Sequence, residues 1–209
     1  MPGIGSALVI GGGIAGPVAA TALRKAGIDA RVHEAYPGPA HTIGSGLALA
    51  PNGIAALDLI GAGDAVRDIA IAISKTAMRI GDKKIPLPTL TDVPPMQVVD
   101  RGELHRVLHR HAVAEGVPME YGKRLIGAEQ DETGVTARFA DGSTARADVL
   151  IGCDGIRSTV RQLIDPDAPG PNYTGMLGFG ALTECPVDLD ENTMVFAYGK
   201  RAYYLHWSE

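Results

Sequence analysis

Cysteine is nearly missing from this 209-residue chain: only Cys153 and Cys185 occur, far apart and in no C-x-x-C pair. That argues against a disulfide framework or a cysteine-based zinc site, and two lone thiols suit a reducing cytoplasm. Positive charge is also short. Lys and Arg number 19 against 24 Asp and Glu, a net charge of -5. No basic stripe carries interleaved aromatics, which argues against nucleic acid or an anionic membrane surface as a partner. No stretch has the run of roughly 20 apolar residues that a membrane span needs. The first residues lack a basic patch and a long apolar core and lead at once into Ala7-Leu8-Val9-Ile10. They are expected to belong to the fold and not to a signal peptide. Aromatics are few, and four of the six tyrosines and the only tryptophan fall after residue 172.

What is present is an ordered alternation of apolar runs and glycines. At 45% hydrophobic, the chain can bury a core in one domain or two small ones. Ala7 to Ile10 is a short continuous apolar run, as a parallel strand buried on both faces should be. Gly11 to Gly16 is glycine-rich. Ile14 to Ala26 has helical composition and stops at Gly27, and Asp29 to Glu34 alternates as a second strand. Further on, 36–46 is a polar loop and Asn52 to Ile60 a helix ending at Gly61. Thr76 to Ile80 and Lys84 to Leu87 form a hairpin around Gly81-Asp82. Pro86, Pro88, Pro94 and Pro95 mark an irregular crossing between domains. Asp100 to Glu115 is a helix with Asp100 as N-cap and Glu103 completing a capping box. Leu125 to Glu129, Val135 to Phe139 and Ala145 to Ile151 are strands, and Ile156 to Leu163 is a short helix. After Pro166 the composition shifts, and Tyr173 to Thr183, Thr193 to Tyr198 and Ala202 to Trp207 are expected as antiparallel strands.

Gly11, Gly13 and Gly16 give G-x-G-x-x-G between a strand and a helix. The first glycine permits the tight turn, the second lets a pyrophosphate approach the backbone, and the third lets helix pack on strand. The helix N-terminus offers N–H donors and a positive dipole end to phosphates. Glu34 closes the second strand, where it can accept from ribose hydroxyls and repel a 2′-phosphate. Pro17 in the first helical turn serves helix initiation. The whole unit predicts a dinucleotide site, but these residues alone do not choose between FAD and NAD.

The choice comes from a second stretch, Ala147-Asp148-Val149-Leu150-Ile151-Gly152-Cys153-Asp154-Gly155-Ile156-Arg157-Ser158-Thr159-Val160-Arg161. It resembles the Asp-Gly fingerprint of the class A flavoprotein monooxygenases, the para-hydroxybenzoate hydroxylase-like family. Val98-Val99-Asp100-Arg101-Gly102-Glu103-Leu104 is similar to that family's helix start, whose arginine contacts FAD. Gly44-Ser45-Gly46-Leu47 with Pro51-Asn52-Gly53 resembles the segment that runs beside the flavin ring. The resemblance covers residues 6 to about 165 closely and the rest in outline.

The resemblance implies an α/β fold: a Rossmann-like, glutathione reductase-type FAD domain over 1–72 and 100–168. Residues 73–99 and 169–209 would form part of a mainly antiparallel substrate-binding sheet. The implied cofactor contacts are Gly11, Gly13, Ile14, Ala15, Gly16, Glu34, Gly46, Leu47, Arg101, Leu125, Asp154 and Gly155. Arg101 can place a guanidinium fork against a pyrophosphate, and Asp154 can hold backbone and water near the same phosphates. The implied activity is hydroxylation of a small aromatic molecule through a flavin C4a-hydroperoxide, with NADH or NADPH as electron donor. No catalytic residue and no metal ligand is assigned. Family members are longer and carry a third motif, Gly-Asp-Ala-Ala-His or similar, so a fragment, a truncated form or half of a split protein is expected. A complementary C-terminal chain or a homo-oligomer would then complete it. Same-fold reductase, epoxidase or halogenase-like chemistry stays open, as does a non-catalytic FAD-binding subunit. A simple NAD-dependent dehydrogenase does not need the second motif.

Other residues carry weaker signals. His105 and His109, at i and i+4 with His111 nearby, have a spacing that suits a metal. No H-E-x-x-H glutamate or third ligand accompanies them, and partly exposed helix histidines are expected. Tyr204 and His206 alternate on one strand face and could line a pocket, with Tyr203 facing away. Packing is the expected role for these residues and for Trp207. Cys153 is expected to be a small buried packing residue.

Overall fold

The computed structural model describes residues 3–39, 46–89, 92–178, 180, 184 and 189–207. In chain order its first elements are β1 (Ser6–Ile10), α1 (Ala15–Lys25), β2 (Asp29–His33), β3 (Gly46–Leu49), α2 (Pro51–Leu59) and α3 (Gly63–Arg67). Then follow β4 (Ile71–Ile73), β5 (Lys75–Ile80), β6 (Lys83–Pro86), β7 (Met96–Asp100) and α4 (Arg101–Ala114). The remainder is β8 (Met119–Glu120), β9 (Leu125–Asp131), β10 (Gly134–Phe139), β11 (Thr144–Ala147), β12 (Val149–Gly152), α5 (Thr159–Ile164), β13 (Thr193–Tyr198) and β14 (Tyr203–Trp207). None of the described helices is long and apolar enough to cross a membrane.

Two compact units emerge: Met1–Ile43 with Gly102–Gly178, and Gly44–Arg101 with Phe179–Glu209. In the first, strands in the order β12-β1-β2-β8 form a parallel sheet, with Ala7 beside Val149 on one side and Ala30 on the other. Because β1 is central and covered on both faces, every second residue serves a different core. Ala7 and Val9 pack with Ala20, Ala30, Val32, Ala112 and Val117. Leu8 and Ile10 pack with Leu125, Ala137, Phe139, Ala147 and Val160, many of them from the antiparallel β11-β10-β9 meander.

The second unit holds a sheet of order β14-β13-β5-β6, antiparallel except where β13 runs parallel to β5, and a smaller antiparallel β3-β7-β4 sheet. Ile73, Val98 and Met194 form its core, with Trp207 packed against them. Residues 46–72, grouped from sequence with the cofactor domain, cluster in this second unit, where β3 pairs with β7.

Two strand expectations change. Ala145 to Ile151 is two strands in two sheets, β11 and β12, and the switch is Asp148. Its carboxylate accepts from the backbone N–H of Gly5 and Ser6, each at 2.8 Å, and its own N–H donates to Ser6 Oγ. Those bonds anchor the crossing to the start of β1 and hold the Asp148 carboxyl below the usual carboxylate range. Tyr173 to Thr183 is not a strand over its described part, residues 173–178 and 180, which are exposed; Gly175 there turns with φ +84°. The short α5 also starts later than expected, at Thr159, because Ser158 is its N-cap and accepts from Arg161 N.

His33 is a buried polar residue at the end of β2. It is 1% exposed, its ring lies 4.9 Å from that of Phe139, and neither ring nitrogen has a hydrogen-bond partner. Glu120 comes no nearer than 3.9 Å. Burial lowers the His33 pKa from 6.5; Glu120 opposes the shift, while Lys123 and Arg31 add to it. An unfolded chain therefore takes up a proton below about 6.5 that the folded ring refuses, and stability falls as pH drops through that value. His33→Phe is expected to flatten this dependence and to raise stability by about 1 kcal/mol at acid pH, since it removes unpaired buried polar atoms. Thermal melts of both proteins on either side of pH 6.5 check it; parallel pH curves would contradict it.

Candidate functional site

The loop between β1 and α1 is shaped by contacts that exclude side chains. Gly11 has φ +107°, and a Cβ there would lie 2.4 Å from the Cys153 carbonyl oxygen. At Gly16 a Cβ would lie 1.8 Å from the Gly11 oxygen. Gly13 is different: a Cβ at this position would meet nothing within 4 Å. Behind it, α1 has no side-chain cap and no acidic residue in its first turn. Its leading N–H groups and dipole are thus left to whatever occupies the open side, which favours an anion.

Glu34 stands at this loop, held from several directions. Its N–H donates to Glu120 O and its carbonyl accepts from Lys123 N, both at 2.7 Å. Its carboxylate accepts from Gly12 N at 2.6 Å through Oε2 and from Tyr36 N at 2.8 Å through Oε1. A carboxylate has about four acceptor positions, so two remain for a ligand such as ribose hydroxyls. The bracing of Gly12 is a role that spacing alone does not reveal.

Asp154 and Gly155 follow β12 and come beside the same loop: Asp154 N lies 2.9 Å from where a Cβ on Gly11 would be. The Asp154 carboxylate is used within the chain. It accepts from Ser158 Oγ at 2.5 Å, Thr159 N at 2.7 Å and Val160 N at 3.1 Å, so it holds the N-terminus of α5. Gly155, with φ +78°, makes the turn between them. Leu125 is 6% exposed with its side chain in the Phe139 core, so that side chain is not offered to a ligand. Cys153, a partly buried free thiol, packs against the Ala7 core, and burial, then the Asp154 charge, raise its pKa.

His105 departs from expectation. It is 5% exposed, and its Nε2 donates to the Gly12 carbonyl at 2.9 Å. Its ring stacks on that of His109 at 6.2 Å, and His109 Nε2 hydrogen-bonds the Tyr121 hydroxyl. The Tyr121 phenol is pushed above its ordinary pKa by burial and then by the nearby Glu34 charge. The available signal was its neighbour Leu104 and the Leu108 stripe, which place His105 at the inner edge of α4.

In the second unit, pairing brings together three other expected contacts. Gly46 lies opposite Asp100 and Leu47 opposite Val99, so β3 runs beside the strand that leads into Arg101, the first residue of α4. A Cβ on Gly46 would come 2.8 Å from the Trp207 indole, which is one reason for glycine there. Gly44 and Ser45 lie outside the described residues. Pro51 opens α2. Tyr204 and His206 share a face and stack at 4.9 Å, while Tyr203 pairs with Tyr198 at 6.3 Å.

The chain is similar to known proteins over nearly its whole length. Residues 5–200 match the FAD binding domain family. A Klebsiella pneumoniae FAD-dependent urate hydroxylase is 33% identical over 93% of this chain and 53% of its own length. A Streptomyces cremeus 3-amino-4-hydroxybenzoate 2-monooxygenase is 34% identical over 80% of this chain and 43% of its own. Among solved structures, Klebsiella pneumoniae HpxO complexed with FAD and uric acid superposes with a TM-score of 0.75. It is 28% identical over 94% of this chain and 51% of that one. The tetrameric form of 2-methyl-3-hydroxypyridine-5-carboxylic acid oxygenase gives 0.70 at 30% identity, over 78% of this chain and 42% of that one. The chain thus spans about half the length of the curated relatives it matches. On the match over residues 5–200, with the Asp154-Gly155 fingerprint in place, the chain belongs to the FAD binding domain family.

Proposed function

We propose that this chain is the cofactor-binding part of an FAD-dependent monooxygenase that uses NADH or NADPH and dioxygen to hydroxylate a small aromatic substrate. One observation carries the cofactor reading: open space in front of Gly13 at an α1 N-terminus that no side chain caps. Gly11, Gly13, Gly16 and the Ile14 and Ala15 backbone would receive the pyrophosphate. Glu34, already oriented by Gly12 N and Tyr36 N, would accept from a ribose. Arg101 would pair with the pyrophosphate, Gly46 and Leu47 would run beside the flavin, and the Leu125 backbone would meet the nucleotide end. Asp154 and Gly155 would hold the α5 turn against the loop.

Bound FAD would supply the redox chemistry, passing two electrons from the nicotinamide to dioxygen; one oxygen atom enters the product and the other leaves as water. The residues of this chain bind, orient and exclude water. The hydroxylase reading rests on the activities named for the relatives, which act on urate and on an aminohydroxybenzoate. Lone thiols fit a cytoplasmic setting.

The test begins with the visible spectrum and intact mass of the purified protein, which tell whether flavin is bound and whether a complementary chain accompanies it. Nicotinamide consumption with aromatic acids and purines under isotopically labelled dioxygen follows. A product that gains one labelled oxygen supports the reading; flavin reduction without oxygenated product points to a reductase.

Two substitution experiments address the binding residues. Gly13→Ala has room in the fold, so its melting temperature is expected to stay near wild type while FAD affinity drops at least ten-fold. Gly16→Ala, with a Cβ 1.8 Å from a carbonyl, is expected to lose stability. If Gly13→Ala keeps full FAD affinity, the pyrophosphate is not at this loop. Glu34→Ala and Arg101→Ala should each weaken FAD binding by about ten-fold, a charged hydrogen bond being worth roughly 1.5 kcal/mol or more. Flavin content equal to wild type removes the corresponding role.

A further inference from the structure

Gly12 occupies a position that the glycine fingerprint leaves open, yet the structure holds it at both ends. Its N–H donates to Glu34 Oε2 at 2.6 Å and its carbonyl accepts from His105 Nε2 at 2.9 Å. Gly12 is buried, and a Cβ there would come 3.0 Å from that of Glu34. In a planar trans peptide the C=O and the following N–H point opposite ways. Fixing the Gly12 carbonyl on His105 therefore turns the Gly13 N–H away from α4. By the same geometry, fixing Gly12 N–H on Glu34 turns the Gly11 carbonyl away from Glu34; that carbonyl is the atom against which Gly16 packs. The two bonds together set the direction of the loop's donors.

We propose that His105 is a positioning residue for the anion-binding loop, orienting the Gly13 amide through the Gly12 carbonyl; the inference rests on the reading that this loop holds the FAD pyrophosphate. A carbonyl only accepts, so the imidazole must carry its proton on Nε2. The ring is backed by His109, whose own Nε2 is engaged by Tyr121.

The test uses the full chain and three readouts. Nitrogen NMR of the wild-type protein, at a pH where the ring is neutral, should find His105 as the Nε2–H tautomer; the Nδ1–H tautomer would overturn the proposal without any variant. Amide exchange at Gly12 should quicken at least ten-fold in His105→Leu and return towards wild type in His105→Gln, whose amide can donate at similar reach. Loss of protection spread evenly over β1 and α4, or no rescue by glutamine, means a packing role and overturns it. In FAD titrations followed by flavin fluorescence, His105→Leu should raise Kd about ten-fold and His105→Gln should recover most of that. FAD binding unchanged in His105→Leu overturns the role in the site. If the wild type takes up no FAD while the tautomer and exchange results hold, the cofactor reading fails and the positioning of the loop stands.

Discussion

The close seating of α1 on the end of β1 is the constraint from which the rest of the first unit follows. Gly16 lies so near the Gly11 carbonyl that any Cβ would overlap it. Helix and strand can then approach only with glycine at both positions, and the chain has to turn between them in four residues. Gly11 takes a conformation that other residues resist. The N-terminus of α1 is delivered close to the carboxyl end of β1, at the centre of the parallel sheet. Strands β2 and β12 flank β1, so their own ends, Glu34 and Asp154, arrive beside the same loop. In parallel α/β sheets the carboxyl ends of strands are where ligands bind, and here close packing puts two acids and a helix terminus there together.

Those acids, with Asp148, do a common job. Each stands where the chain leaves or enters a strand of the parallel sheet, and each accepts backbone N–H groups that no ladder can take up. Glu34 accepts from Gly12 and Tyr36, Asp148 from Gly5 and Ser6, and Asp154 from Thr159 and Val160. Short side chains with two oxygens suit this role, because orphaned donors at turns are expensive when partly buried. A conventional functional reading of Glu34 and Asp154 treats them as ligand contacts. The geometry adds that they are first of all braces, and that a ligand at Glu34 meets a carboxylate already fixed in direction. Such preorganisation lowers the ordering cost of binding.

The sequence made legible whatever depends on local pattern. The β1-α1-β2 unit, the hairpin turning at Gly81 and helix α4 follow from apolar periodicity and glycine placement, and they appear within a residue or two of the expected bounds. What stayed hidden depends on partners distant in the chain. The apolar run from Ala145 to Ile151 gives no local sign of dividing between two sheets, because its divider, Asp148, is satisfied by Gly5 and Ser6 far upstream. Tyr173 to Thr183 has strand-like composition, but its described residues are exposed and outside any strand. Gly46 was expected, from the resemblance, only in the segment beside the flavin, whereas the Trp207 indole by itself leaves no room for a Cβ there. His105 was visible as a histidine on a helix, and only the fold brings the Gly12 carbonyl to it.

The three glycines of G-x-G-x-x-G mark where side chains must be absent, which is a steric condition and says nothing about which way the intervening amides face. Direction requires hydrogen bonds, and those come from residues the fingerprint does not include: Glu34 at the end of β2 and His105 on α4. A loop with the same glycines but fewer such anchors would satisfy the pattern with its amides less fixed in direction, and ordering them on binding would carry an entropic cost. On the proposed reading, the direction of the backbone donors therefore depends on side chains outside the glycine pattern. The Glu34 carboxylate that is proposed for the ribose is also the group that holds the Gly12 N–H, so on that reading a ligand at one would be felt at the other.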